Sequence, residues 1–126
     1  MQFKTDTKDK FHAITLRGPS LSATMTEELA LGLLTYLQND VKNVVLILED
    51  IETIDIAAAE KLVEVQQKFY ENSSSFVICS LQKQVEAFLD KNELLELMNV
   101  TPTESEAWDI VQMEEIEREL MDGEGL

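Results

Sequence analysis

The sequence predicts an α/β fold: one domain with a mixed, mostly parallel β-sheet of about four to five strands packed by about four helices. Three observations carry this. Strand-like runs alternate with stretches of helical periodicity along the chain. Val44-Val45-Leu46-Ile47-Leu48 is an unbroken apolar run of strand length, the pattern of a central strand covered on both faces. Two T-x-x-E spacings, Thr24 with Glu27 and Thr103 with Glu106, have the form of capping boxes at helix starts.

Taken in order, Phe11 to Leu16 reads as a strand rich in β-branched and aromatic residues, with Phe3 on a partner strand. Arg17-Gly18-Pro19-Ser20 breaks it. A helix then begins near Thr24, with Leu29, Ala30, Leu33, Leu34 and Leu37 as its apolar stripe and Leu31 widening that stripe toward burial on more than one side. After the central strand, Glu49 to Asp55 reads as a polar turn, and a second helix spans about Ala57 to Glu71 on Ala58, Leu62, Val65 and Phe69. Phe76 to Cys79 is the next strand, and Val85, Phe88 and Leu89 mark a short helix. Asn99 to Pro102 suits an edge strand, where proline is tolerated. The last helix starts at the second capping box and is expected to turn Ala107, Ile110, Met113, Ile116 or Glu117, and Leu120 inward. The domain is expected to occupy residues 1–122, with 123–126 a frayed end.

The composition narrows the function. Of 126 residues, 44% are hydrophobic, enough for a real core. The N-terminal stretch lacks the apolar run of a signal peptide, and no segment approaches the roughly 18 apolar residues of a membrane span. A cytoplasmic protein without membrane insertion is expected. The net charge of −15 repels phosphate backbones and anionic lipid, so nucleic-acid binding is not expected. The charge is concentrated near the C-terminus, where residues 103–126 hold nine acids against the single base Arg118. That helix face is either simply solvated or a surface that steers a basic partner.

Catalytic constellations are scarce. Cys79 is the single cysteine and reads as a buried core thiol. His12 is the single histidine, within a strand, and reads as structural or exposed. Neither a P-loop, a dinucleotide fingerprint nor a G-x-S-x-G elbow is present. Glu49, Asp50, Glu52 and Asp55 cluster beyond the central strand, where open α/β sheets gather ligands, but they read as a solvated turn rather than a magnesium site. No enzyme, metal or cofactor is expected.

The segment from Val44 to Leu62, VVLILEDIETIDIAAAEKL, resembles the central signature of STAS domains, the sulfate-transporter and anti-sigma-factor-antagonist modules. In that family an apolar strand leads to a D-S-S-G turn that opens a helix. Leu21-Ser22-Ala23-Thr24-Met25-Thr26-Glu27-Glu28-Leu29 is similar to the family's first-helix start, L-D-x-x-T-A-E-E-L. The order of elements fits from about Phe3 to Leu120, so the resemblance implies a single STAS-like domain.

The departures matter. Of D-S-S-G only Asp55 remains, with Ile56, Ala57 and Ala58 following. The family's phosphorylated serine corresponds to Ala57, which has no hydroxyl. Ile47 stands where an acidic residue usually ends the central strand, and Ser22 where aspartate usually opens the first helix. Asp55 is expected to cap its own helix and complement its dipole. Ile56 either folds inward or forms an apolar contact point. The resemblance thus implies a non-catalytic protein-binding module of bacterial signalling that lacks the serine phosphoswitch. Its partner, an anti-sigma factor or related regulator, would dock at Ser22, Thr24, Thr53, Asp55, Ile56, Ala57 and Ala58, and a homodimer stays open. The alternatives are a structural or regulatory subunit of a lipid-transport or sensory assembly, and a small-molecule or nucleotide sensor at the acidic turn.

Overall fold

A computed structural model describes residues 2–124 of the chain. Among the described residues seven strands, β1 (Phe3–Thr7), β2 (Phe11–Leu16), β3 (Ser20–Leu21), β4 (Asn43–Ile47), β5 (Thr53–Ile54), β6 (Phe76–Cys79) and β7 (Val100–Thr101), are interleaved with four α-helices. The helices are α1 (Ala23–Thr35), α2 (Ile56–Glu71), α3 (Lys83–Lys91) and α4 (Glu104–Glu124). Five strands form the main sheet in the order β1-β2-β4-β6-β7. Only the β1–β2 pair is antiparallel. The apolar run at residues 44–48 therefore builds the central strand, as its lack of alternation requires. The strand itself runs from Asn43 to Ile47, shifted by one residue at each end, and buried Leu48 follows it.

Alternate residues of the sheet serve two cores. Ile14, Leu16, Val44, Leu46, Phe76 and Ile78 point to one face, where α1, α2 and α3 cover them. Phe11, Ala13, Val45, Ile47, Val77 and Cys79 point to the other, where Ala107 and Val111 of α4 close over them. His12 lies buried near the start of β2, between β1 and β4, and its ring is held at both ends. Its Nε2 donates to the Val41 carbonyl at 2.9 Å, the Thr7 hydroxyl meets Nδ1 at 3.0 Å, and Tyr36 packs on the ring.

Three expectations about helices are corrected. The first helix begins at Ala23 with Ser22 as N-cap, its hydroxyl accepting from the Met25 amide at 3.3 Å, so Thr24 and Glu27 do not form the capping box. The reason is tertiary: Leu21 is fixed in a strand pairing, so the extended backbone ends at Ser22 and the helix starts there. Leu31 does not widen a buried stripe; it is 72% exposed. The inward stripe of α4 stops after Ala107, half-buried Ile110 and Val111, while Met113, Ile116 and Leu120 face outward.

What turns α4 this way is polar. Glu114 accepts from the Tyr70 and Ser75 hydroxyls at 2.7 and 2.6 Å, Glu115 accepts from Asn43 at 2.7 Å, and Arg118 donates to Ser75 at 3.1 Å. The second capping box is half realised, with the Glu106 amide donating to the Thr103 hydroxyl at 3.2 Å. The helix continues through Glu124, and residues 125 and 126 of the expected frayed end lie outside the described residues.

Candidate functional site

The segment expected to carry function sits beyond the C-terminal edge of the main sheet. Its frame is a second, two-stranded sheet that the sequence did not announce, because two residues are too few to show a period. Ser20 pairs with Thr53 and Leu21 with Ile54, in parallel. Gly18, at φ +107°, makes the turn into it, a conformation that side chains with a Cβ rarely adopt. The Pro19 carbonyl then accepts from the amides of both Glu52 and Thr53, at 2.7 and 3.1 Å. Buried Ile51 and Ile54 anchor what reads in sequence as a polar turn. This pairing brings residues 20–24 and 53–57 together, placing the N-termini of α1 and α2 side by side.

Asp55 joins the two helices in an unexpected sense. It occupies the N-cap position of α2, yet its side chain makes no capping bond there. Instead its Oδ2 accepts from the Ala23 amide, the first residue of α1, at 3.2 Å. The carboxylate thus satisfies one of the orphan donors of the neighbouring helix. Its main chain is tied into the same corner, with the Asp55 amide donating to the Leu21 carbonyl at 3.2 Å.

Around this joint Thr24, Thr53, Asp55, Ile56 and Ala57 are exposed and Ser22 is half-buried. Ile56 is 45% exposed, which removes the inward-folding alternative. Ala58 is different: it is fully buried in the core beneath α2 and offers no surface to a partner. Ile47 is likewise buried, on the α4 side of the sheet. Of the four departures Ile47, Ile56, Ala57 and Ala58, only Ile56 and Ala57 therefore lie at the surface.

The acidic residues do not converge. Asp50 faces Arg17 at 3.5 Å, Asp55 is occupied by Ala23, and among the described residues no group of three or more His, Cys, Asp or Glu side chains is placed to hold a metal. Among the described residues, no helix is long and apolar enough to cross a membrane.

Cys79 ends β6, buried next to this edge. Burial pushes its thiol up to about 11, with Glu104 and Glu49 adding to the rise against an opposing hydrogen bond from Ser80. Burial, and then the Glu114 carboxylate, also push the Tyr70 hydroxyl well above its ordinary value. Both groups are neutral acids whose unfolded pKa values, 9.0 and 10.0, lie below the folded ones. Above about pH 9 the unfolded chain therefore loses protons that the native chain keeps, and stability falls as pH rises. Urea melts are expected to hold a constant midpoint from pH 7 to about 8.5 and to fall through pH 10–11. A thiol reagent at pH 8 should label Cys79 at least about 100-fold faster in denaturant than in buffer.

Solved structures share this architecture. The fold is similar to an anti-sigma-factor antagonist (STAS) domain protein from Planctomyces limnophilus, 20% identical, covering 87% of this chain and 97% of that one at a TM-score of 0.73. It is also similar to the Bacillus cell fate determinant SpoIIAA in its phosphorylated form, 17% identical over 87% of this chain and 99% of that one, at a TM-score of 0.63. The murine anion transporter Slc26a9 contains the fold as well, with 13% identity over 82% of this chain and 18% of the transporter, at a TM-score of 0.68. No curated protein matches significantly by sequence. The model of the STAS domain matches residues 2–107, and on that match the chain belongs to the STAS domain family.

Proposed function

We propose that this chain is a non-catalytic protein-binding module of bacterial signalling, related to the anti-sigma-factor antagonists and working without a serine phosphoswitch in the cytoplasm. One observation supports it above others: Ile56 and Ala57 stand exposed where two helix N-termini meet, framed by Ser22, Thr24, Thr53 and Asp55. An exposed isoleucine on a fixed frame is an apolar anchor for a partner. The Bacillus neighbour is known in a phosphorylated form. Here residues 55–60 contain no hydroxyl, so no phosphate ester can form on them. Adding about −1.5 to −2 charges is the usual way to eject such a module from an interface. Without that step, binding is constitutive unless Ser22, Thr24 or Thr53 takes over. Phosphopeptide mapping with a cognate kinase finds those three unmodified if the reading is right.

The central test is Ile56→Asp. Affinity purification from the native organism with the unaltered chain identifies the partner. The variant is expected to retain that partner at least about tenfold less well, with its melting temperature within about 2 °C. A large fall in melting temperature with retained partner would show Ile56 to be structural and sink the proposal. The likeness to a domain of an anion transporter favours a second reading, a regulatory subunit of a membrane assembly. Copurification of transporter subunits instead of a soluble regulator would select it.

A further inference from the structure

We infer that the outward face of α4 is a second docking surface, and that its occupant is a basic amphipathic helix of another protein. Met113, Ile116 and Leu120 are 50%, 56% and 62% exposed and lie on the side of α4 turned away from the sheet. Their spacing, three and then four residues, is the seam spacing of helix-to-helix packing. A helix that folds only to cover a sheet has no use for such a seam on its solvent side.

The flanks of the seam identify its partner. Glu117 and Glu119 border it at the positions that face a partner's flanking charges, and Asp109, four residues before Met113, ends the apolar seam with a carboxylate; all three are exposed. The one base of the region, Arg118, does not neutralise them, because its guanidinium is turned inward onto Ser75 and Asn43. A second copy of this chain would set Glu117 and Glu119 against their own counterparts, and anionic lipid would meet the same repulsion. A helix with leucine-like residues on one face and lysine or arginine along its borders satisfies both the seam and the charge. The surface is also held in place beforehand, since Glu114 and Glu115 bind α4 to Tyr70, Ser75 and Asn43. It lies across the sheet from α1 and α2, so it goes beyond the proposed site at Ile56 and leaves that site free.

The test uses the full chain and a fluorescent synthetic peptide of three heptads, with leucine in the seam and lysine at its borders. Fluorescence anisotropy should show binding that weakens at least about tenfold in the Ile116→Ser/Leu120→Ser variant, for a scrambled peptide of equal composition, and in about 0.5 M salt. Both replaced side chains are exposed, so the melting curve should not move; Met113→Ser provides a second variant of the same seam. Ile56→Asp should leave peptide binding unchanged, which separates this surface from the corner of α1 and α2. Equal binding of the scrambled peptide, or unaltered binding by the seam variants, would overturn the inference. So would a dimer that Ile116→Ser dissolves, or capture of neutral phosphatidylcholine vesicles by the same residues.

Discussion

Replacing Phe69 with alanine is expected to lower the unfolding free energy by about 3–5 kcal/mol, the cost of emptying an aromatic site that cannot collapse. Phe69 is fully buried on α2, and its ring centroid lies 5.2 Å from that of Phe76 in β6, so the pair joins the helix to the sheet. Domains of this kind have only about 5–15 kcal/mol to lose. A melting temperature lower by about 10–20 °C should follow. Because α2 carries Ile56 at its other end, partner binding should fall only in proportion to the unfolded fraction. Calorimetry and a binding isotherm below the transition separate the two effects. A loss of under about 1.5 kcal/mol would mean the neighbouring side chains close the cavity.

Asn43→Leu is expected to cost about 2–4 kcal/mol through unmet hydrogen bonds rather than through volume. Asn43 is buried at the start of β4. Its Oδ1 accepts from the Ser75 amide at 2.8 Å and lies 3.3 Å from the Ser74 hydroxyl, while its Nδ2 donates to the Lys10 carbonyl at 2.9 Å and to Glu115 at 2.7 Å. Leucine fills the space and leaves the Ser75 amide and the Lys10 carbonyl without these partners. Glu115 loses its bond to Asn43, and Arg118 keeps Ser75 but loses its second acceptor, so the second half of α4 should exchange its amide hydrogens faster than the rest of the chain loses protection. A uniform change across the molecule would instead mark a purely global loss. A cost below about 1 kcal/mol would show that water enters and restores the bonds.

The reach of the sequence can be traced to the same residues. Val44 to Leu48 and the Ala58–Leu62–Val65–Phe69 stripe were legible because burial alone decides them, and burial follows side-chain type. The α4 expectation failed where it assumed that apolar residues face the core. The core there is partly polar: Glu114, Glu115 and Arg118 are drawn inward by Tyr70, Ser75 and Asn43, whose proximity only the folded chain reveals. At the candidate site, Ser22, Thr24, Thr53, Asp55, Ile56 and Ala57 were singled out by likeness to a family. Their convergence depends on β3 and β5, two residues each, which leave no periodic trace. Asp55 shows the limit most clearly. Its type and position announce a cap, but which helix receives it is settled by a pairing made 32 residues away along the chain.

The order in which the chain is made gives the single-helix cover of the second core a cost of its own. The strands that build this face, β2, β4 and β6, all leave the ribosome before α4, and so do the helices that shield the opposite face. Until Ala107 and Val111 emerge, Phe11, Ala13, Val45, Ile47, Val77 and Cys79 form an open apolar plate on an otherwise assembled sheet. A nascent chain stalled before residue 107 is therefore a target for chaperones and for its neighbours on the same message, since exposed sheet surface is what drives misassembly during synthesis.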